Sequence, residues 1–303
     1  MDHGETLRTQ SLQEIMESFD ILIPQDGVDV PFLFNSPHSG NHYPEDFIEA
    51  ARLTIGDLRR SEDCFVDELF AGALDLGAVL MRARLPRAFV DLNREPYELD
   101  PSMFDAPLPA FVNSRSVRVS GGLGTIARIV AERKEIYARQ LTVEEGLSRI
   151  EKHYKPYHRA LVRLLSEIRG SFGAAILVDC HSMPSARIAG ETRPRPDFVI
   201  GDRYGTSCSD IVANAVQESL TAMGYRVTRN KPYAGGFITE RYGNPSASIH
   251  AVQIEINRAL YMDETRYTRS NGYSWICADL TRMMRHLVNV IPGQLLPQRT
   301  AAE

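Results

Sequence analysis

Four apolar stretches of this sequence run directly into polar residues of the types that bind metals or transfer protons. The stretches are FLFNSPHSG (32–40), AFVDLNR (88–94), ILVDCHS (176–182) and VQIEINR (252–258). They contribute two histidines, His38 and His181, and three carboxylates, Asp91, Asp179 and Glu255. Because the carboxyl ends of strands border the ligand crevice of an open α/β sheet, we expect these side chains to meet at one site.

The donor types suit a catalytic zinc ion, which takes three protein ligands and keeps a fourth position for water. The cysteines Cys64, Cys180, Cys208 and Cys277 are far apart and form no CxxC pair, so neither a zinc ribbon nor a disulfide framework is expected. Cys180 alternates with His181 along the same strand, which favours a core position over a role as nucleophile. Cysteine usage of this kind is typical of a reducing compartment.

The two aspartates and Glu255 can also have roles other than metal binding. Asp91 and Asp179 each precede other polar groups by two residues, so in a strand they share a side with them and can orient a histidine or an arginine. Glu255 lies in an otherwise apolar stretch, where a charge is costly unless it is paired or catalytic. Each histidine, taken singly, also fits a hydrogen-bonded structural role. A functional site is favoured because four apolar stretches, rather than one, end in such polar residues.

The elements that must position these residues alternate between strands and helices. Strands are predicted within 30–40, 174–178, 197–202, 225–230 and 250–261, with two short strands around Pro86 in 78–94. Helices are predicted over 54–77, 141–170, 209–224 and 274–291. Such alternation is typical of an α/β fold in which helices cover both faces of a mostly parallel mixed sheet, giving three α/β/α layers.

Local signals mark the helix boundaries. Thr142 and Ser209 are expected N-caps, Gly77, Gly170 and Gly224 are expected stops, and Pro156 is expected to kink the helix over 141–170. The Pro-, Ser- and Gly-rich stretch 95–125 and the stretch 184–196 are expected loops.

Composition excludes several classes of protein. The chain has 303 residues and a formal net charge of −5, which gives no general electrostatic basis for nucleic-acid binding. No apolar run approaches the roughly 18 residues of a membrane span, and the acidic N-terminus lacks an apolar signal core. We therefore expect a cytoplasmic protein without membrane or nucleic-acid partners. No break in composition divides it, which favours a single catalytic domain over 1–303.

Taken together, seven segments resemble the N-formylglutamate amidohydrolase family. In family order they are NSPHSGNHYP (35–44), EDCFVDEL (62–69), FVDLNREP (89–96), VDCHSMPS (178–185), DFVIGDR (197–203), NKPYAGGFITERYG (230–243) and AVQIEINRALYMDE (251–264). That family is similar to the zinc carboxypeptidases and to the aspartoacylase/succinylglutamate desuccinylase group. The resemblance implies a zinc-carboxypeptidase-like (phosphorylase/hydrolase-like) fold and one Zn²⁺ per chain.

The resemblance also implies metal ligands. His38 and His181 match the two ligand histidines of those relatives, which take their carboxylate from a His-x-x-Glu motif. Here Asn41 stands three residues after His38, so the carboxylate must come from another segment, for which SEDCFVDEL (61–69) is the best source. Asp63 is favoured, and Glu62 and Asp67 are the alternatives. A third reading of this segment is an acidic, solvated helix N-terminus.

Further roles follow from the same resemblance. Asn93 and Arg94 match the Asn-Arg pair that holds a substrate carboxylate, for which a guanidinium offers two parallel hydrogen bonds that lysine cannot. Glu255 matches the general base. Gly235 and Gly236 would let a loop approach the substrate closely, and two further substrate contacts are expected at Arg241 and Tyr242.

The expected substrate is a small N-acyl amino acid, N-formyl-L-glutamate, cleaved to formate and L-glutamate. Another acyl amino acid or a peptide remains an alternative substrate. A non-catalytic binding protein on the same fold is a further alternative, and the sequence does not indicate an oligomeric state.

Overall fold

A computed structural model describes residues 18–130, 134–186 and 195–295. The strands in these ranges are β1 (Phe19–Leu22), β2 (Phe32–Ser36), β3 (Val79–Ala83), β4 (Ile129–Val130), β5 (Lys134–Glu135), β6 (Ala175–Met183), β7 (Phe198–Gly201), β8 (Val227–Arg229), β9 (Ile249–Asn257), β10 (Met262–Asp263) and β11 (Thr268–Arg269).

The α-helices in the same ranges are α1 (Glu45–Ala50), α2 (Ile55–Leu58), α3 (Val66–Leu69), α4 (Val117–Ser120), α5 (Val143–Arg149), α6 (Lys155–Phe172), α7 (Asp210–Ala222), α8 (Phe237–Tyr242) and α9 (Tyr273–Leu295). Short 3₁₀ segments occur at Arg59–Ser61, Ala71–Leu76, Pro101–Met103, Arg203–Gly205, Pro245–Ala247 and Arg258–Leu260, and a π-helical segment at Ile150–Tyr154. Within this part of the chain, no helix is long and apolar enough to cross a membrane.

Within the described residues, the central sheet has seven strands in the order β1-β3-β2-β6-β9-β7-β8. The pairs β2–β6, β6–β9 and β7–β8 are parallel, and β7–β9 is antiparallel. Strands β2 and β6 are buried along their whole length, and β9 is buried over all but its first residue, as expected for strands covered on both faces. The predicted mixed α/β fold with a mostly parallel sheet is confirmed.

Strand register brings the polar strand ends to one edge of the sheet. Asn35 pairs with Asp179, which pairs in turn with Gln253, and His181 pairs with Glu255. Because β2, β6 and β9 run parallel, side chains at equivalent register positions lie on the same side of the sheet. This alignment places Asp179 and His181 beside the segment that carries Glu255.

The long amphipathic stretch forms α5, the π-helical segment and α6. Thr142 is its N-cap and forms a capping box with Glu145, as its sequence predicts. Pro156, which lacks a backbone N–H, is the second residue of α6, and the π-helical segment that ends at Tyr154 interrupts the regular α-helix just before it. The expected stop at Gly170 is wrong, because α6 continues to Phe172 and Gly173, at φ +84°, follows it.

The helix predicted over 54–77 is wrong as a continuous element. After α2 and one 3₁₀ turn the chain becomes extended at Glu62, and Phe65 has a left-handed φ of +65° before α3 begins. The break has a tertiary cause, since the backbone N–H of Asp63 donates to the carbonyl of His38 (3.0 Å) rather than to a preceding turn. Gly77, at φ +77°, ends the stretch as predicted.

One of the two strands predicted in 78–94 is present as β3. The second is absent, because the chain turns after Pro86 (Phe89 N–H to Pro86 O, 2.9 Å) and Asp91 N–H donates to Thr125 O (2.8 Å).

The stretch 95–125 is irregular apart from two short helices, as expected. Part of the predicted loop over 184–196 lies outside the described residues. The remaining predicted helices and strands are present, and Ser209 caps α7.

The chain divides into two compact units. The first comprises the described residues up to Asp20, Pro37–Cys64 and Arg82–Leu161, and the second comprises Ile21–Ser36, Phe65–Met81 and the chain from Val162. In the first unit the buried guanidinium of Arg149 lies 4.3 Å from the ring centroid of Phe89 and 5.5 Å from those of Phe47 and Tyr137. In the second, α7 packs on β7, β8, β9 and α9.

Candidate metal centre and active site

His38 lies two residues beyond β2 and is oriented by a buried carboxylate. Its Nε2 is 2.7 Å from Oδ1 of Asp91, and the His38 side chain is 2% exposed. Burial alone would raise the pKa of Asp91, but the charges of Arg87, Arg94 and His38 outweigh it and hold that pKa well below its usual range. An ionised carboxylate only accepts hydrogen bonds, so Nε2 carries the proton and Nδ1 presents a lone pair.

His181 has the same arrangement within β6. Its Nε2 is 2.9 Å from Oδ2 of Asp179, and the other oxygen of that carboxylate accepts from Nδ2 of Asn35 (2.8 Å). Asp91 and Asp179 therefore make the orienting contacts that their positions in the sequence predict. Metal-binding histidines are commonly held in this way by a carboxylate on the nitrogen that faces away from the ion.

Asp63 faces the remaining ring nitrogen of His38. Its Oδ2 lies 3.5 Å from His38 Nδ1, and both side chains are buried. Ligand atoms of His38, Asp63 and His181 all lie within 4.8 Å of one another. Two ligands about 2.1 Å from a tetrahedral zinc are about 3.4 Å apart, so the His38–Asp63 separation and the nitrogen–oxygen donor set both fit zinc.

The two alternative carboxylates have other surroundings. Glu62 accepts hydrogen bonds from Tyr43 Oη, from Arg59 Nε (3.1 Å) and from Cys64 Sγ (3.1 Å). Burial and the charge of Glu62 raise the pKa of Tyr43, so its hydroxyl stays a donor. Asp67 is only half-buried in α3. Among the described residues, Asp63 rather than either alternative joins the two histidines in a group that could hold a metal ion.

The reading of this acidic segment as a solvated helix N-terminus does not fit the structure. Glu62 and Asp63 are each 1% exposed, Glu62 has an extended backbone, and both residues lie before Phe65, the N-cap of α3, rather than in the first turn of a helix. Cys180 is fully buried on β6, where burial and the neighbouring charge of Asp179 raise the pKa of its thiol well above the usual value. It is a core thiol, as the strand alternation predicts.

Glu255 lies in β9 directly beside His181 and is 8% exposed. Its Oε1 accepts a hydrogen bond from Nε2 of Gln253 (2.8 Å), and Oε1 of Gln253 accepts from the backbone N–H of Gly236 (2.7 Å). The side chain of Gln253 thus joins the glycine loop to the carboxylate. The sequence interpretation missed Gln253, although its spacing of two residues from Glu255 places both on the same side of the strand.

The loop that carries Gly235 and Gly236 follows β8 and enters α8. Gly235 has φ +115°, and a Cβ atom there would lie 2.5 Å from Oγ1 of Thr239. Neighbouring Gly201 at the end of β7 is equally constrained, because its added Cβ would lie 2.6 Å from the backbone nitrogen of Gly235. Close backbone packing at this loop therefore requires glycine on both sides.

Arg94 lies in the turn after Asp91 and is 8% exposed. Its Nε donates to Leu123 O (2.9 Å), its Nη1 donates to Asn93 O (2.9 Å), and its Nε lies 3.6 Å from Oδ2 of Asp91. Burial lowers its pKa to about 10 despite the opposing charge of Asp91, so the guanidinium remains charged at neutral pH. The hydroxyl of Tyr154 fixes the same turn by donating to Arg94 O (2.6 Å).

Arg241 and Tyr242 are the last residues of α8. Arg241 is exposed and Tyr242 is half-buried. Burial raises the pKa of Tyr242, so its hydroxyl is protonated at neutral pH and can donate a hydrogen bond.

Comparison with known proteins decides the family. The family model described as N-formylglutamate amidohydrolase matches residues 30–262. The chain belongs to the N-formylglutamate amidohydrolase family. The family that the motifs resemble is thereby confirmed, and with it the enzyme class, a hydrolase that acts on an amide bond.

Individual relatives agree with this assignment. The chain is 31% identical to an N-formylglutamate deformylase of Pseudomonas putida over 243 residues, which are 78% of this chain and 83% of that protein. It is 29% identical to an N-formylglutamate deformylase of Pseudomonas aeruginosa over 238 residues, with the same two coverages of 78% and 83%.

The fold of this chain is also similar to those of solved structures. The crystal structure of N-formylglutamate amidohydrolase from Ralstonia eutropha superposes with a TM-score of 0.86 at 34% identity, over 92% of this chain and 99% of that one. A gene product from Agrobacterium tumefaciens, with a TM-score of 0.65 at 18% identity over 91% of this chain and 96% of that one, shares the fold.

Proposed function

We propose that this amidohydrolase cleaves N-formyl-L-glutamate to formate and L-glutamate and uses one zinc ion per chain. The observation that carries the proposal is the buried group of His38, Asp63 and His181, whose ligand atoms lie within 4.8 Å of one another. Relatives named N-formylglutamate deformylase support the substrate. Three protein ligands are the number that catalytic zinc sites use.

The two histidines would hold zinc through Nδ1, since Nε2 of each lies against an aspartate. Asp63 would supply the third ligand. When bound, zinc polarises a carbonyl oxygen and lowers the pKa of a bound water to about 7. Asp91 and Asp179 hold the proton of each neutral imidazole on Nε2, which leaves Nδ1 to bind a cation.

Glu255 is the proposed general base. Its carboxylate would accept a proton from the attacking water and return that proton to the amide nitrogen as the glutamate leaves. Its position in β9 beside His181 supports this role, because a base must lie within hydrogen-bond reach of the water that it activates. Gln253 would orient the carboxylate through its hydrogen bond to Oε1.

The remaining predicted residues are proposed substrate contacts. Arg94, charged and buried, would bind a substrate carboxylate with the help of Asn93. The glycine loop would pack against the substrate, and α8 would contribute side chains at its end. These further proposed contacts are Gly235, Gly236, Arg241 and Tyr242.

We also propose that the whole chain forms one catalytic domain that acts in the cytoplasm. Neither compact unit is a continuous segment, which supports a single domain. All four cysteines lie within the described ranges and none of them is in a disulfide, which supports a reducing compartment.

Formate release from N-formyl-L-glutamate, measured before and after chelation and again after zinc is restored, tests the proposal. We expect activity that disappears with the chelator and returns with zinc. N-acetyl- and N-succinyl-L-glutamate serve as comparison substrates, and faster turnover of either would identify another deacylase. Substrate binding without formate release from the zinc-loaded protein would identify a binding protein.

A further inference from the structure

Two buried arginines contact the residues that directly follow His181. Arg258, at the end of β9, donates from Nε to Oγ of Ser182 (3.1 Å). Arg195 donates from Nη1 to the carbonyl oxygen of Pro184 (2.8 Å). The two residues are 7% and 6% exposed. Both guanidinium groups, here named the arginine pair, are therefore held beside the strand end that carries a proposed zinc ligand.

One member of the arginine pair lies beside a tyrosine. Tyr233 Oη lies 3.5 Å from Nη1 of Arg195. Burial and the negative charge of Glu255 raise the pKa of Tyr233, while the positive charges of Arg195 and Arg258 oppose that shift. The hydroxyl of Tyr233 is thus within electrostatic range of all three charged residues and remains protonated at neutral pH.

The chemistry of this cluster matches a carboxylate ligand. Guanidinium groups present planar sets of N–H donors that fit a carboxylate in two parallel hydrogen bonds, and a phenol adds another donor. The arginine pair is therefore better suited to an anionic group than to a neutral amide.

N-formyl-L-glutamate carries two carboxylates, and Arg94 with Asn93 would bind only one of them. Every N-acyl amino acid has an α-carboxylate, and the resemblance gives Asn93 and Arg94 to a substrate carboxylate. The second carboxylate, at the end of the glutamate side chain, distinguishes an acidic amino acid from its neutral counterparts. A residue that binds it would set the specificity of the enzyme.

We propose that Arg195 and Arg258, assisted by Tyr233, bind the side-chain carboxylate of the N-acyl acidic amino acid and thereby select acidic substrates. The inference rests on the proposed function, because it assigns part of that same substrate. It adds two specificity-determining residues that motif matching alone did not identify.

The test compares two substrates that differ in one charge, N-formyl-L-glutamate and N-formyl-L-glutamine. We expect Arg195→Met and Arg258→Met each to lower kcat/KM for the glutamate substrate by about 10- to 100-fold, the range of a charged hydrogen bond. The same variants should change kcat/KM for the glutamine substrate by less than about 3-fold, because the lost interaction is absent there. The ratio of the two values on one preparation is independent of the folded fraction.

Arg226→Met is the matched control, since Arg226 is an exposed arginine whose Nη2 lies 2.8 Å from Oδ1 of Asp197. It should leave both substrates unaffected. Equal losses on both substrates would assign the arginine pair a structural role, and unchanged turnover of the glutamate substrate would remove the pair from the binding site. Both outcomes overturn the inference. Wild-type protein that hydrolyses neither substrate would instead overturn the proposed function.

Discussion

At the scale of single residues, the two histidines share one hydrogen-bonding arrangement. Each has an aspartate on Nε2, at 2.7 Å for His38 and 2.9 Å for His181. Each aspartate fixes the proton on that nitrogen, so the opposite nitrogen is a lone-pair donor before any cation arrives. This preparation lowers the rearrangement needed for metal binding.

The choice of Asp63 as the carboxylate ligand gives the first prediction. Asp63→Asn keeps the side-chain volume but weakens coordination, so we expect it to lose most of its zinc on gel filtration. Glu62→Gln and Asp67→Asn are matched controls that should retain about one zinc per chain, as a three-ligand site does. Elemental analysis of the three proteins measures the effect, and greater zinc loss from Glu62→Gln or Asp67→Asn would transfer the ligand role to that residue.

Glu255→Gln gives the second prediction. The substitution preserves shape but removes the proton acceptor, so turnover should fall by about 10²–10⁴-fold while zinc content stays at the wild-type value. The melting temperature should change little, because an amide can still accept the hydrogen bond from Gln253. Loss of zinc along with activity would make Glu255 a ligand instead, and near-normal turnover would remove it from the mechanism.

At the scale of elements, β6 and β9 act together. Their parallel register sets Asp179 against Gln253 and His181 against Glu255. The buried strand pair therefore presents an orienting carboxylate, a proposed ligand, a proposed base and its hydrogen-bond partner at one edge. The glycine loop is joined to this edge through Gln253, which contacts Gly236 and Glu255 with the two ends of its amide.

Breaking that link gives the third prediction. Gln253→Met keeps the length of the side chain but removes both hydrogen bonds, so kcat should fall by about tenfold, equivalent to about 1.4 kcal/mol. Zinc content should remain unchanged, since Gln253 is not part of the ligand group. Steady-state kinetics with Gln140→Met, an exposed glutamine, as control measures the effect. Wild-type kcat in Gln253→Met would show that the link does not position the base.

A buried histidine at the start of β9 gives the fourth prediction. His250 Nδ1 accepts the backbone N–H of Ser209 (3.1 Å), the N-cap of α7, and burial lowers its pKa below the ordinary 6.5. The unfolded chain therefore binds this proton more readily than the folded protein. Stability that is fully present above pH 6.5 should be lost as the pH falls through the folded-state pKa.

Urea unfolding of the wild type and of His250→Asn at pH 7.5 and pH 5 checks this expectation. Asparagine offers an acceptor near the position of Nδ1 but does not titrate, so the variant should lose less unfolding free energy on acidification than the wild type does. An equal loss in both proteins would show that His250 does not contribute to the acid sensitivity.

At the scale of the whole molecule, the proposed ligands come from three distant parts of the chain. His38 follows β2, Asp63 precedes α3 and His181 lies in β6. A cation bound by all three is bound only by the folded chain, so it stabilises that state by mass action. Free zinc at about a thousand times its Kd would contribute about 4 kcal/mol.

Metal removal gives the fifth prediction. Chelation should lower the melting temperature of the wild type by several degrees, and added zinc should restore it. The His38→Ala variant is the control, because it lacks a ligand and should show little response to the chelator. Scanning calorimetry of both proteins measures the shift, and an equal response in the two would mean that the stabilising metal lies elsewhere.

Elements whose signals are local could be predicted from the sequence. The apolar runs of β2, β6 and β9, the capping box at Thr142 and the N-cap at Ser209 all lie within a few neighbouring residues of the elements that they define. Apolar strands that end in polar residues then indicated a site at one sheet edge. The ordered motifs indicated the family, which the relatives confirm, whereas the site itself remains a proposal.

Which side chains come into contact depends on long-range packing that the sequence pattern does not show. Periodicity over 54–77 predicted one helix, but the hydrogen bond from Asp63 N–H to His38 O joins residues that are 25 positions apart and coincides with its break. A hydrogen bond between such distant residues does not change the spacing of apolar residues, so the sequence pattern cannot reveal it. For the same reason, the link through Gln253 and the arginine pair at Arg195 and Arg258 emerged only from the folded chain, since their partners are set by strand register and loop packing.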